Sequence, residues 1–469
     1  MQSDTKPSKT HLILVTIAFS FTYLLFSFLP ILATEDQPNP VYIIQPGETL
    51  TDIAIRFGVS ISDLKAANGI INADLISIGT RIVIPGLEGV SGVLTTKVVA
   101  IAESLEYFIK KENTSLDNIL RLNKITSPNE VYAGSTLIIP VDETKNASTT
   151  LLFGGALTNS EFALLGNINP WVLITSNEIK GHDRLLTRDI ISLESDVNFT
   201  YLETALIHTI SISPLPFKQG STHVIKVNSN EDSTISGYLG DTPLVFFENG
   251  NEMTAIQGIF AMAEPGLIRF SIAANNSDGI REDFEQMVLL VSGNFISDPP
   301  IIVSDQTIDP AITQPENDFI LSIVSKVNVE RYWQGNFIYP VDEPIGFMSV
   351  FGSRRSYNNG GYTSFHTGLD FGVYANSLNI YAAAAGKVVF AGPLTVRGNT
   401  VIIDHGHGIF SGYFHQSEIK VKEGDLVSQG QLIGLIGATG RVTGPHLHWE
   451  IWANGFQVNP ITWVENRIP

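Results

Sequence analysis

Six of the ten histidines fall between positions 366 and 448, in a chain of 469 residues that has no cysteine. Without cysteine there are no disulfides, no thiolate-bound zinc, no iron–sulfur cluster and no thiol nucleophile, so the usual metal ligands left are His, Asp and Glu. Three short groups appear in order: His366-Thr-Gly-Leu-Asp370, Tyr413-Phe-His415 and His446-Leu-His448. The surrounding runs, Gly386–Ala391, Thr400–Asp404, Ile409–His415 and His448–Trp452, are rich in Val, Ile, Phe, Tyr and Trp and read as strands. In a strand, residues two apart project to one face. His446 and His448 therefore point the same way while Leu447 and Trp449 enter the core. His366 and Asp370 share a face if their stretch is extended, and Gly368 between them leaves open space. A catalytic zinc takes three such ligands at about 2.0–2.2 Å and keeps one position for water. Two His and one Asp satisfy it. The ion then acidifies water toward a pKa of about 7 and polarises a carbonyl, while the remaining histidines handle protons and a developing oxyanion.

Other histidines read differently. His405 is expected to brace the turn Asp404-His-Gly-His-Gly408, His407 to face solvent, and Asp404 to orient a neighbour. His182, His208 and His223 are isolated and read as surface or internally satisfied side chains.

Residues 346–460 resemble the lysostaphin-type (LytM-type) zinc endopeptidases of bacterial cell walls. The matching text is FGSRR…SFHTGLDF, AAAAGKVVFAG, GNTVIIDHGHGIFSGYFHQSEI, KEGDLVSQGQLIGLIGATG and TGPHLHWEIW. The resemblance implies zinc ligands at His366, Asp370 and His448, with His415 and His446 assisting the nucleophilic water and stabilising the tetrahedral intermediate. Val442, where Ser or Ala is common, and Gln416, where Leu is usual, depart from the pattern without touching a ligand. Val421–Gly437 also resembles the barrel-sandwich hybrid motif of lipoyl and biotinyl carriers. A carrier needs a modified lysine at a hairpin tip, and Lys420 and Lys422 lack that setting.

An ungapped repeat lies upstream. Gly47-Glu48-Thr49-Leu50 aligns with Ala102-Glu103-Ser104-Leu105, Asn68 with Asn123, and Ile82-Val83-Ile84-Pro85 with Leu137-Ile138-Ile139-Pro140. Each copy reads strand, helix, helix, strand. Thr49 is placed to cap a helix carrying Leu50, Ile53, Ala54 and Phe57, with Gly58 as its stop. Ser60 caps a second helix with Ile61, Leu64 and Ala67 on one face, and Arg81–Ile84 closes the unit. The pattern resembles the LysM module, which implies a shallow groove for N-acetylglucosamine glycans. By position the groove holds Gly47, Glu48, Thr49 and Leu50 on one loop and Asn72 to Ile78 on the other. The second copy, with Ala102 for the glycine and Glu112 for Phe57, is degenerate.

From 147 to 297 short β-rich runs, Val172–Ile174 and Thr209–Ser213 among them, alternate with turn signals and suggest an Ig-like antiparallel sandwich. Residues 298–317 read as a linker and Asp318–Trp333 as a helix. At the N-terminus, Lys6 and Lys9 precede the charge-free run Leu12–Leu29 and the small residue Ala33, which reads as a signal peptide or membrane anchor over 1–33.

The expected architecture is multidomain and mainly β. It comprises βααβ modules at 40–86 and 96–141, a β-sandwich at 147–297, a linker and helix at 298–335, and a zinc endopeptidase domain of antiparallel β type at 336–465. Length agrees with several domains at roughly 150 residues each. A net charge of -19 disfavours nucleic acid as a partner. Together with the two resemblances, the expected activity is extracytoplasmic: a zinc-dependent peptidoglycan hydrolase tethered to glycan. The alternative is a non-catalytic wall-bound regulator. Relatives of that kind lose zinc ligands, and this chain keeps all of them.

Overall fold

The computed structural model describes residues 39–45, 48–72, 77–87, 89–141, 149–152, 158–165, 169–177, 190–193, 206–360 and 362–469. The expected signal or anchor and Gly47 lie outside them. No helix among the described residues is long and apolar enough to cross a membrane. The chain divides into two units, Met1–Thr95 with Pro140–Lys145, and Thr96–Ile139 with Asn146–Pro469.

In the first unit, Val41–Ile43 pairs antiparallel with Arg81–Val83, and the helices Leu50–Phe57 and Ile61–Asn68 lie between them in the chain. Thr49 and Asp52 form a capping box, and Gly58 ends the first helix at φ 68°. Leu50, Ile53, Ala54 and Phe57 make the buried stripe. On the second helix only Leu64 is buried; Ile61 and Ala67, expected on the same inward face, are exposed. Asn68 explains its own place in the repeat. Its amide donates to the Leu64 and Val83 carbonyls and its oxygen accepts from Val83 N–H at 2.6 Å, which ties helix to strand.

The second unit begins with the second copy, where Asn123 makes the same three bonds to Ile119 and Ile138. Next come a hairpin of Thr149–Leu152 with Ile190–Leu193 and helices Asn159–Leu165 and Pro170–Ser176. Val172–Ile174, expected as a strand, is helical. Asn169 caps Trp171 N–H and Pro170 fills the first helical position, and these start signals override the β preference of Val and Ile.

Two sheets then pack as a sandwich. One runs Thr242–Pro243, Thr234–Leu239, Gly266–Asn275, Arg281–Val291 and Phe217–Lys218; the other runs Phe246–Asn249, Glu252–Gly258, Thr222–Ser229 and Ile207–Ser213. Pairing is antiparallel except between Arg281–Val291 and Phe217–Lys218. Phe217, Ile225, Val227, Phe270, Ile272 and Val288 form its core. His223 is fully buried and satisfied by the Pro214 carbonyl and Ser221; His208 bonds Asn228 and Asn230.

Residues 298–303 run extended beside the strand Arg354–Tyr357, with Asp298 N–H on Arg354 O and Ile301 N–H on Ser356 O. The following helix spans Pro310–Val324, earlier than the Asp318–Trp333 expected, because Asp309 caps it and Pro310 opens it. Its Ile320, Ile323 and Val324 bury against Ile402, Phe410, Phe414 and Trp452. At roughly 1.5–3 kcal/mol for each buried aliphatic side chain, this contact fixes the helix to the sheet behind it.

That sheet is the C-terminal scaffold. Its antiparallel order is Phe347–Ser349, Leu369–Phe371, Leu447–Ala453, Ile409–Gln416, Gly398–Gly406, Gly386–Leu394 and Leu426–Val427, with Phe456–Val458 pairing the third. Leu369, Phe371, Val401, Ile403, Tyr413, Leu447, Trp449 and Ile451 form the main core. His405, as expected, braces its turn, donating to Ala385 O at 2.8 Å and meeting Ser411 Oγ at 2.7 Å. His407 is not solvent-facing: it stacks on Phe247 of the sandwich at 4.0 Å and meets Trp333 edge-on. Further bonds, Asn459 N–H to Gly220 O and Trp463 Nε1 to Thr222 Oγ1, join sandwich and C-terminal domain.

Candidate metal centre

Strand pairing brings the separated histidines together. Asp370 lies directly opposite His448 in register, and Phe414 lies opposite His448 on its other side. Along Leu447–Ala453 the side chains alternate: Leu447, Trp449 and Ile451 enter the main core, so His448 and Glu450 share the opposite face. His366 arrives from the segment preceding Leu369–Phe371. Gly368 lets it pass, because a Cβ there would run into the Trp449 carbonyl.

His415 reaches this face by a break in the alternation. Regular pairing would send it to the core side with Tyr413. Instead the register shifts between Asn399/Gln416 and Val401/Tyr413, and His415 takes φ 61°. One extra residue on this strand turns the imidazole to the site, a use typical of β-bulges beside functional centres.

The donor atoms of His366, Asp370 and His448 all lie within 4.8 Å of one another. His366 Nε2 is 2.9 Å from both Asp370 Oδ1 and His448 Nδ1, and His448 Nδ1 is 2.7 Å from Asp370 Oδ1. The outer nitrogens fix the tautomers. His366 Nδ1–H donates to Val350 O at 2.9 Å, and His448 Nε2–H donates to Glu450 Oε1 at 2.9 Å. Both inner nitrogens therefore present lone pairs, and they face a carboxylate oxygen. Three acceptors so close repel unless a cation lies among them, and two imidazoles with one carboxylate are a donor set for zinc.

The carboxylate stays ionised. Burial alone would raise Asp370, but positive charge shared with His366 and His448 holds it well below the usual carboxylate range. Its second oxygen accepts from Arg355 Nη2 at 2.9 Å, and Arg355 also pairs with Asp298. Burial pulls His366 down, whereas Asp370 and Glu450 outweigh burial at His448 and raise it. Glu450 is likewise held ionised against its burial by His448.

His446 and His415 flank the three. His446 Nδ1–H donates to Gly444 O at 2.9 Å and its Nε2 lies 3.7 Å from Asp370 Oδ1. His415 Nδ1–H donates to Thr439 O at 2.8 Å, and the two rings are 4.9 Å apart. Burial, reinforced by His448 and His446, lowers His415 to about 3. All five residues line one cavity of about 330 Å³, walled also by Ile301, Val303, Arg397 and Arg441.

Comparison with known proteins bears on this arrangement. Residues 364–460 match the model of Peptidase family M23, and residues 42–85 and 99–140 match the LysM domain. The chain carries a family M23 peptidase domain and two LysM domains. Over 121 residues the chain is 42% identical to the peptidoglycan DD-endopeptidase ShyA of Vibrio cholerae, covering 26% of this chain and 28% of that protein. Over 97 residues it is 41% identical to the DD-carboxypeptidase/endopeptidase Mpg of Neisseria meningitidis, covering 21% and 22%. The chain thus spans about a quarter of the length of these curated relatives. A crystal structure of a putative peptidase M23 from Pseudomonas aeruginosa aligns at 27% identity and TM-score 0.40, over 52% of this chain and 93% of that one.

Sequence reasoning missed several residues of the M23 site. Glu450 and Thr367, which donates to Glu450 Oε1 at 2.5 Å, support His448. Glu450 was legible: it continues the i, i+2 series from His446 and His448. Arg355 gave no such signal, since its link to Asp370 depends on the hairpin fold.

Among the residues expected to line the LysM groove, Glu48 is engaged internally. It accepts from the Tyr42 hydroxyl, Gln45 N–H and Arg56. Thr49 caps its helix and Leu50 is buried, while Asn72 and Ile78 are exposed.

Proposed function

We propose that this protein is an extracytoplasmic zinc-dependent endopeptidase that cleaves peptide cross-links in peptidoglycan, held near its substrate by LysM–glycan contacts. The observation that carries the reading is the convergence of the His366, Asp370 and His448 lone pairs on one point. In this reading those three residues hold the zinc. When bound, the ion supplies the Lewis acidity that activates water and polarises the scissile carbonyl.

The chain's own residues do the rest. Arg355 holds the outer oxygen of Asp370 and Glu450 holds the outer nitrogen of His448, so both inner atoms stay aimed at the ion. His446 and His415 each have Nδ1–H tied to a backbone carbonyl, which leaves Nε2 as a proton acceptor toward the cavity. His446 takes the proton from the attacking water and returns it to the leaving amine. His415 orients that water. Stabilising an oxyanion requires a proton on Nε2, which His446 gains in the first step.

Tethering raises the local concentration of wall peptides at the cleft. Among the described residues expected to line the groove of the first LysM domain, Asn72 and Ile78 are exposed, and in this reading that loop meets glycan. The DD-endopeptidase names of the relatives favour a D-Ala to diamino-acid cross-link over a glycine bridge.

The test is release of muropeptides from purified sacculi by the zinc-loaded chain lacking residues 1–33. Cleavage that chelator stops and zinc restores is expected. Stoichiometric zinc binding with no cleavage, or hydrolysis by a sample stripped of zinc, would overturn the reading.

A further inference from the structure

The chain carries a net charge of -19, yet three arginines line the cavity of the metal centre. Two are neutralised. Arg355 lies between Asp298 and Asp370. Arg397 pairs with Glu316, which also accepts the backbone N–H groups of Val396 and Arg397.

Arg441 differs. Among the described residues no carboxylate lies within ion-pair distance of it. Its Nη1 donates to the Thr307 carbonyl at 3.0 Å, and its guanidinium carbon sits 4.9 Å from the centre of the Tyr357 ring. A carbonyl dipole and an aromatic face hold a guanidinium in place without cancelling its charge.

The loop that carries it is fastened. Arg441 N–H bonds Val396 O, the Thr439 hydroxyl bonds Asn399 N–H and Gln416 O, and Thr439 O receives His415 Nδ1–H. A half-buried, pre-positioned guanidinium with unused N–H groups, in the same cavity as the catalytic histidines, is a receptor for a carboxylate.

The ligand follows from the chemistry of wall peptides, and here the argument rests on the endopeptidase reading above. In a direct cross-link from D-Ala to a diamino dicarboxylic acid the alanine carboxyl is the scissile carbonyl, and the diamino acid keeps one free carboxylate beside the cross-linked amine, whereas the interior of a glycine bridge bears none. We propose that Arg441 is a specificity-determining residue whose guanidinium receives a substrate carboxylate, so that the enzyme selects acidic cross-linked peptides over neutral ones. The apolar wall of Ile301 and Val303 on the strap 298–303 completes this subsite.

The experiment uses the zinc-loaded chain and two versions of one cross-linked muropeptide dimer, with its carboxylates free or amidated. For the natural sequence kcat/KM is expected to be about 10- to 100-fold higher on the free form, mostly through KM, as for a hydrogen-bonded charge pair. Arg441→Gln brings the two substrates to within threefold of each other, and Arg441→Lys restores part of the preference. Equal cleavage of both dimers by the natural sequence, or an Arg441→Gln loss that is the same on both, would overturn the assignment. Binding of the two dimers to the zinc-free chain separates the proposals. If neither dimer is cleaved, the endopeptidase reading fails, and the Arg441 assignment stands only if Arg441→Gln still weakens binding of the free-carboxylate dimer selectively.

Discussion

Glu450 stands two residues beyond His448 on the same face of one strand and accepts its Nε2–H at 2.9 Å. That bond selects the tautomer in which His448 Nδ1 presents its lone pair toward His366 and Asp370. Removing such an outer partner typically costs 10- to 100-fold in metal affinity. Glu450→Ala is therefore expected to weaken zinc by about that factor in competition with a chromogenic chelator, with activity recovering as zinc is raised. Unchanged affinity would show that the carboxylate does not set the tautomer.

The three inner residues should behave differently from their supports. His366→Ala or His448→Ala removes one of the three proposed ligands, so bound zinc is expected to fall well below one equivalent by elemental analysis. Sacculus hydrolysis should then drop to background. Stoichiometric zinc in either variant would refute the ligand set.

His446 and His415 lie beside the close triad of His366, Asp370 and His448 without joining it. Replacing either with Ala should leave zinc content at one equivalent while lowering kcat by about 10²- to 10⁴-fold, the span of general acid–base assistance. A loss confined to KM would assign them to binding instead.

The contrast between His448 and His415 shows what the sequence could and could not reveal. His448 follows from alternation alone: Leu447 and Trp449 are unmistakable core residues, so their neighbours had to face away. Its pairing opposite Asp370 was not visible, because register between strands nearly eighty residues apart is set by the folded sheet. His415 defies alternation, since its direction depends on a bulge opposite Thr400 that no local pattern announces. Helix positions show the same divide. Thr49 and Ser60 were readable as caps, whereas the Asp309-Pro310 start was obscured by the proline-rich text around it and Val172–Ile174 by β-forming residue types. The strap 298–303 reads as a linker because its order comes from bonds to Arg354 and Ser356, which lie far along the chain.

Gly368 packs directly against the strand that carries His448. Any Cβ there meets the Trp449 carbonyl, which is backbone in a central strand and cannot swing away. Gly368→Ala should separate Leu369–Phe371 from Leu447–Ala453 and so move Asp370 from His448. Destabilisation of about 1–3 kcal/mol by urea unfolding is expected, from overpacking, together with weaker zinc binding. A variant with full stability and full zinc affinity would show that the two strands tolerate more separation than their register implies.

Acid sensitivity should come from a histidine that does no chemistry. His405 is fully buried, and burial lowers it from an ordinary 6.5 to about 4 against the opposing bond to Ala385 O. The folded state thus keeps His405 neutral where the unfolded chain would protonate it. Its contribution to stability is present above pH 6.5 and is lost as pH falls from there toward 4, by roughly 3 kcal/mol in full. His223, lowered to about 4 by burial in the sandwich, acts in the same direction. Urea midpoints measured from pH 7.5 to 4.5 should fall steadily below 6.5. In His405→Asn, which starts less stable, the fall should be shallower. Parallel curves for the two proteins would mean that the pH dependence arises elsewhere and that the His405 ring is protonated in the folded state.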